Sequence, residues 1–203
     1  MMSSHKRFSY VNTRMETNCC WYRLNIDTSR AFRDDYVLPT VSTKHEVWEF
    51  PVKDVFDSKW IEYMDSIGLH MSFVLVFYRP AGFKHSIAHV DLNEKTSKAT
   101  VYAVNLIVHG KDSQMVWYDL PQSKLEIQYT ARGVPYIAAP MDELREIQRS
   151  YLGNELALVR VNMPHAIFCG DEDRWCFSLR FSQEYPTWNA VVDRYLNAGL
   201  IAD

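Results

Sequence analysis

FVLVFYRPAGFKHSIAHVDL, residues 73–92, is the stretch that decides the fold. Its first seven residues, FVLVFYR (73–79), are β-branched and aromatic, as a buried strand requires. Pro80, Ala81 and Gly82 break the run, and HSIAHVDL (85–92) reads as a second strand. Upstream the period is helical. VKDVFDSKWIEYMDSI (52–67) sets Val55, Trp60, Tyr63 and Met64 on one face, with Gly68 as a stop. WYRLNID (21–27) is an early strand.

Downstream, strands dominate. TVYAVNLIV (100–108), QMVWYDL (114–120), KLEIQYT (124–130), ELALVRVNM (155–163) and RWCFSLRFS (174–182) all carry strand composition. NEKTSK (93–98), His109–Asp112 and Pro121–Ser123 punctuate them. MDELREIQRSYL (141–152) predicts a short helix ended by Gly153-Asn154, and a second helix over roughly 187–199 closes the chain. Short strands with turn signals every 8–12 residues or so favour a sandwich or barrel over a βαβ fold. The flanking helices then brace an outer face. Residues 121–155 are long for a connection, and read either as a lid or as cover for a sheet edge.

Composition bounds the rest. The 203 residues suit one domain, with 47% hydrophobic and 14% aromatic residues to fill a core. Residues 1–20 are polar and are expected to be mobile. A net charge of −3 without a basic block gives no footprint for duplex nucleic acid. No apolar run approaches the roughly 20 residues of a membrane span, and no apolar segment of a signal peptide follows the polar start. Cys19, Cys20, Cys169 and Cys176 lack zinc-ligand spacing. Reduced thiols in a cytoplasmic setting are the expectation.

The chemistry centres on His89-Val90-Asp91. On a strand, residues i and i+2 share a face, so imidazole and carboxylate converge. A third ligand from another strand would complete a two-histidine, one-carboxylate face with open positions, the arrangement of non-haem iron(II) oxygenases. The plainer reading of the triplet is a solvated edge strand. VNMPHAIFCGDEDRWCFSLRFS (161–182) shifts the balance. There Arg174, Cys176, Ser178, Arg180 and Ser182 alternate with Trp175, Phe177, Leu179 and Phe181. The aromatic row is core; the polar row faces water or a pocket. If the segments pair as a hairpin about Gly170-Asp171, His165 lies nearly opposite Cys176, with Arg174 a diagonal neighbour within about 8 Å. Arg180 is then about 20 Å further along, too far to share a small ligand with Arg174. Arg174 is the one placed to grip a carboxylate bidentately, unless it pairs with the acidic turn Asp171–Asp173.

Two runs carry a family resemblance. Phe77-Tyr78-Arg79-Pro80-Ala81-Gly82-Phe83, then His85 and His89-Val90-Asp91, resembles the iron-binding half of 2-oxoglutarate oxygenases. Pro164-His165, a short turn and Arg174 on an alternating strand resembles the other half. The nine-residue spacing from His165 to Arg174 is most similar to the aspartyl/asparaginyl β-hydroxylase group and related small hydroxylases, over residues 73–182 or so. The resemblance implies a double-stranded β-helix (jelly roll, cupin-like), Fe(II) on His89, Asp91 and His165, and 2-oxoglutarate held by Arg174, with O2 as co-reactant. It implies hydroxylation of an amino acid, a peptidyl side chain or a small polar metabolite. Some members carry a hydroxyl two residues after the arginine; Cys176 stands there instead, and Ser178, two further on, is the hydroxyl left for that role.

Other residues have two readings each. Asn105 contacts the cosubstrate or a ligand's neighbour, or ties down a loop. Trp117 and Tyr118 line the pocket or pack in the core. His85 is a substrate-side group or a solvated histidine, and Arg79 a partner for a substrate carboxylate or a strand end. His89 with Glu94 is reminiscent of cupins, although Asp91 stands where cupins often have a histidine. A cupin-type metalloenzyme and a non-catalytic jelly-roll module are therefore the rival readings.

Overall fold

The computed structural model describes residues 19–42, 44–85, 87–92, 98–119, 126–129 and 135–201. Its strands are β1 (Trp21–Arg23), β2 (Glu46–Phe50), β3 (Met71–Arg79), β4 (Ile87–Asp91), β5 (Tyr102–Val108), β6 (Gln114–Asp119), β7 (Glu126–Tyr129), β8 (Pro135–Pro140), β9 (Arg145–Tyr151), β10 (Leu156–Arg160), β11 (His165–Phe168) and β12 (Arg174–Phe181). The helices are α1 (Val52–Val55), α2 (Ser58–Ser66) and α3 (Trp188–Asn197). No helix among the described residues is long and apolar enough to cross a membrane.

The strands form two antiparallel sheets of six, in the orders β1-β10-β5-β12-β3-β2 and β7-β8-β4-β11-β6-β9. This arrangement fits a β-sandwich. Strand β12 shows why the layers assemble. Its Trp175, Phe177 and Leu179 share a cluster with Trp60 and Met64 of α2 and Val191, Val192 and Tyr195 of α3. The aromatic row thus buries against the bracing helices. Its neighbour Cys176 points the other way, into a cluster with Ala103 and Ile107 of β5 and with Met115, Trp117 and Ile167 of the second sheet. That cluster lies between the sheets, so the polar row of β12 faces the interior.

The helix expected over 52–67 is broken. Phe56 leaves helical geometry and is buried, and Asp57 starts a second helix by accepting from the Lys59 N–H. Thr187 caps α3 in the same way, through the Ala190 N–H. Strands β2, β8 and β11 were not among the expected elements.

Two expectations are overturned. The helix predicted within 141–152 is a single 3-10 turn, Met141–Glu143, followed by β9, which pairs with β6. The helix-forming composition of 145–151 yields to tertiary pairing: β9 is an edge strand whose Arg145, Glu146 and Arg149 side chains stay in water, and periodicity does not reveal that. Likewise, the described parts of 121–155 extend the second sheet at both edges rather than forming a lid.

The second correction concerns the hairpin. Strands β11 and β12 do not pair. Strand β11 lies between β4 and β6, whereas β12 lies between β3 and β5 in the other sheet. The acidic turn is a crossover. Gly82 N–H donates to the Gly170 carbonyl at 2.7 Å, and the Asp173 carboxylate accepts from Tyr78 Oη at 3.0 Å and Ala81 N at 2.8 Å. A Cβ on Gly170 would lie 2.8 Å from Asp112 Cβ, so the crossover needs glycine there. Residues 1–18, most of the turn at 93–98, Glu94 and Pro121–Ser123 lie outside the described residues.

Candidate metal centre

Strand β4 delivers two ligand-type side chains by simple alternation. Ala88 and Val90 are buried on one face, and His89 and Asp91 share the other. Strand β11 delivers the third, because His165 is the register partner of His89. The donor atoms of His89, Asp91 and His165 all lie within 4.8 Å of one another. His89 Nε2 is 3.6 Å and His165 Nε2 3.9 Å from the same carboxylate oxygen, Asp91 Oδ1. The two imidazole centroids are 4.3 Å apart.

The neighbouring groups tune these three for a cation. His165 Nδ1 lies 2.9 Å from the Met163 carbonyl, which only accepts, so the proton sits on Nδ1 and Nε2 keeps its lone pair. Burial and the nearby His165 push His89 down to about 3, and burial also lowers His165. Both imidazoles are therefore neutral at physiological pH. Burial opposes ionisation of Asp91, yet the Arg180 guanidinium holds its carboxyl at about 2. Arg180 Nη2 donates to Asp91 Oδ2 at 3.0 Å, leaving Oδ1 toward the histidines. Two neutral nitrogens and one carboxylate oxygen suit a divalent first-row ion such as Fe(II).

A polar lining continues along the interior. On β12, Arg174 and Ser178 are buried, and Ser178 is the register partner of Asn105 on β5. Asn105 Oδ1 has no hydrogen-bond partner among the described residues. Arg174 Nε donates to Ser113 Oγ at 3.0 Å, and its register partner across β3 is Arg79. The alternative pairing of Arg174 with the acidic turn does not occur at Asp173, whose carboxylate is taken by Tyr78 and Ala81. Trp117 packs between the sheets beside His165, with Nε1 donating to the Arg160 carbonyl. Tyr118 packs on the other side with Ala88, Val116 and Ala166.

His85 is half-buried and hydrogen-bonded to the neighbouring strand. Its backbone N–H donates to the Ile167 carbonyl, and its Nδ1 accepts from the Ile167 N–H at 3.1 Å. The ring thus replaces a main-chain carbonyl in the ladder and must carry its proton on Nε2. It stands 5.2 Å from the His89 ring, and burial pushes its pKa far down.

Sequence reasoning placed the three ligand-type residues together but assigned Arg180 no part in the site. The signal was the shared alternation of Arg174 and Arg180; what was missing was the sheet crossover, which sets the β12 interior row opposite β4. Ser113, the partner of Arg174, left no sequence signal.

No family model matches the chain. No curated protein matches it either. Among solved structures it is similar to one described as "X-Ray structure of E. coli ycfD", with 10% identity, a TM-score of 0.33, and coverage of 63% of this chain and 29% of that one. The match therefore spans less than a third of that protein's length, and a likeness this distant carries no inference about fold family or chemistry.

Proposed function

We propose that this protein is an Fe(II)- and 2-oxoglutarate-dependent oxygenase on a jelly-roll fold, hydroxylating an unactivated C–H of an amino acid, a peptidyl side chain or a small polar metabolite. The observation that carries the reading is the convergence of His89 Nε2, His165 Nε2 and Asp91 Oδ1 between two sheets, with donor atoms within 4.8 Å. The strand order supports the jelly roll. Strands β3, β5, β10 and β12 lie in one sheet and β4, β6, β9 and β11 in the other, so the chain crosses repeatedly between them.

His89, Asp91 and His165 would hold the iron and leave coordination positions open for the cosubstrate and O2. With 2-oxoglutarate and O2, bound iron supplies oxidative decarboxylation coupled to C–H hydroxylation; the protein orients the reactants and excludes water. Asp91 provides the anionic ligand, kept ionised and turned by Arg180. His165 is oriented by the Met163 carbonyl. Arg174, Ser178 and Asn105 line the interior where the cosubstrate's remote carboxylate would lie, and Arg174 Nη1, without a partner among the described residues, is a free donor for it.

The test is succinate release. Purified protein with Fe(II), 2-oxoglutarate, ascorbate and O2 is expected to form succinate slowly without a prime substrate, and His165→Ala is expected to form none while remaining folded. Equal succinate formation by wild type and His165→Ala refutes the reading.

A further inference from the structure

Two buried arginines stand side by side with no counter-charge among the described residues. Arg79 and Arg174 are register partners across β3 and β12, and they are 5% and 1% exposed. Both project into the interior, as do Phe77 and Cys176 on the same strand faces. Among the described residues neither arginine has an ion-pair partner. Arg79 Nε and Arg174 Nη1 make no hydrogen bond to any described residue. The nearby acids are committed, Asp91 to Arg180 and Asp173 to Tyr78 and Ala81. Cys169 supplies no charge, because burial raises its thiol pKa. Phe77 and Phe83 flank the Arg79 guanidinium, with centroids at 5.2 and 5.7 Å, and hold it in place without neutralising it.

Two like charges withdrawn from water and set next to each other are unfavourable unless an anion joins them. We infer that Arg79 and Arg174 form a two-guanidinium clamp for a single carboxylate, the end of a dicarboxylate ligand remote from the metal centre. A carboxylate offers about four lone-pair sites, enough for N–H donors from both forks. The identification of that ligand as 2-oxoglutarate rests on the oxygenase reading; the clamp rests on the burial and missing partners of the arginines. Arg79 is the added element, since it comes from β3, the strand before the His89 segment, and no spacing rule links it to Arg174.

The experiment is calorimetric titration of Mn(II)-loaded protein with three ligands: 2-oxoglutarate, glutarate and 2-oxobutyrate. The last keeps the 2-oxo acid and lacks the second carboxylate. Wild type, Arg79→Met, Arg79→Lys and Arg174→Met are compared, with Mn(II) binding as the measure of an intact fold. The clamp is expected to weaken 2-oxoglutarate binding at least tenfold in each Met variant, and less in Arg79→Lys, while 2-oxobutyrate binds all four proteins alike. Wild-type affinity for 2-oxoglutarate in Arg79→Met overturns the clamp and leaves the oxygenase reading standing. Glutarate binding that Arg79→Met abolishes, with no preference for 2-oxoglutarate, supports the clamp and sinks the oxygenase reading. Wild type that binds neither dicarboxylate overturns both. Should Arg79→Met fail to bind Mn(II), Arg79→Lys decides: unchanged 2-oxoglutarate affinity there overturns the clamp, because a point charge does not replace the planar fork.

Discussion

Arg180 Nη2 donates to Asp91 Oδ2 at 3.0 Å, so one carboxylate oxygen is held by a guanidinium while the other faces two imidazoles. Arg180 would thereby act on a bound metal through Asp91 and not directly. Loss of a group that orients a metal ligand typically costs about 10–100-fold in metal affinity. Arg180→Ala is expected to weaken Mn(II) binding by that order, and Arg180→Lys by less. Without the guanidinium the Asp91 pKa rises, so the acid limb of metal binding is expected to move to higher pH in Arg180→Ala. Titration of both variants across pH 5–8 checks this.

The metal-free protein is expected to lose stability in mild acid. His89 is lowered to about 3 and His165 is lowered too, against about 6.5 in an unfolded chain. Below pH 6.5 the unfolded state takes up protons that the folded state refuses. The stability these groups contribute is therefore fully present above that pH and lost as pH falls toward the folded values. Each proton changes the slope by up to about 1.4 kcal/mol per pH unit. Asp91 has the same sign at lower pH, since its contribution fades only below about 4 and on toward 2. Urea melts of metal-free protein between pH 7.5 and 5 measure the slope, and bound Mn(II) is expected to hold off the loss until the histidines release it.

Ser113→Ala removes the acceptor of the Arg174 Nε proton in a fully buried setting. Leaving such a donor unsatisfied costs about 1–3 kcal/mol. Denaturant unfolding is expected to show that loss, and addition of a ligand that engages Arg174 is expected to recover part of it.

Gly110→Ala is expected to be more damaging than an ordinary turn substitution. Gly110 has a φ of +68°, and an added Cβ would meet Arg174 Cβ at 2.8 Å and Arg174 Cα at 3.0 Å. The left-handed backbone costs about 1–2 kcal/mol with a side chain, and overpacking adds about 1–3 kcal/mol. Thermal melts compared with Gly82→Ala separate the two, because Gly82 shares the positive φ at +70° but has open space around its Cα.

The sequence made the β-class and the candidate metal ligands legible for one reason: strand alternation is local. His89 and Asp91 share a face by alternation alone, and the Trp175-Phe177-Leu179 row announces a core face. Pairing partners are not local. Nothing in 161–182 distinguishes a hairpin from a crossover, because both need a glycine turn between two short strands. That is why Arg174 was set beside His165 and Arg180 was set apart from the site. Strand β9 escaped notice for a related reason, since an exposed edge strand with Glu, Arg and Gln has the composition of a surface helix.

The most direct test is a thermal-shift titration with Mn(II), then 2-oxoglutarate, on wild type and His165→Ala. A ligand that binds the folded state alone adds about 2.7 kcal/mol at a hundredfold excess over its dissociation constant. The expected result is that Mn(II) raises the melting temperature of wild type, that 2-oxoglutarate raises it further in the presence of Mn(II), and that neither moves His165→Ala. Melting temperatures of wild type unmoved by Mn(II), or raised equally in His165→Ala, would contradict a metal centre on His89, Asp91 and His165.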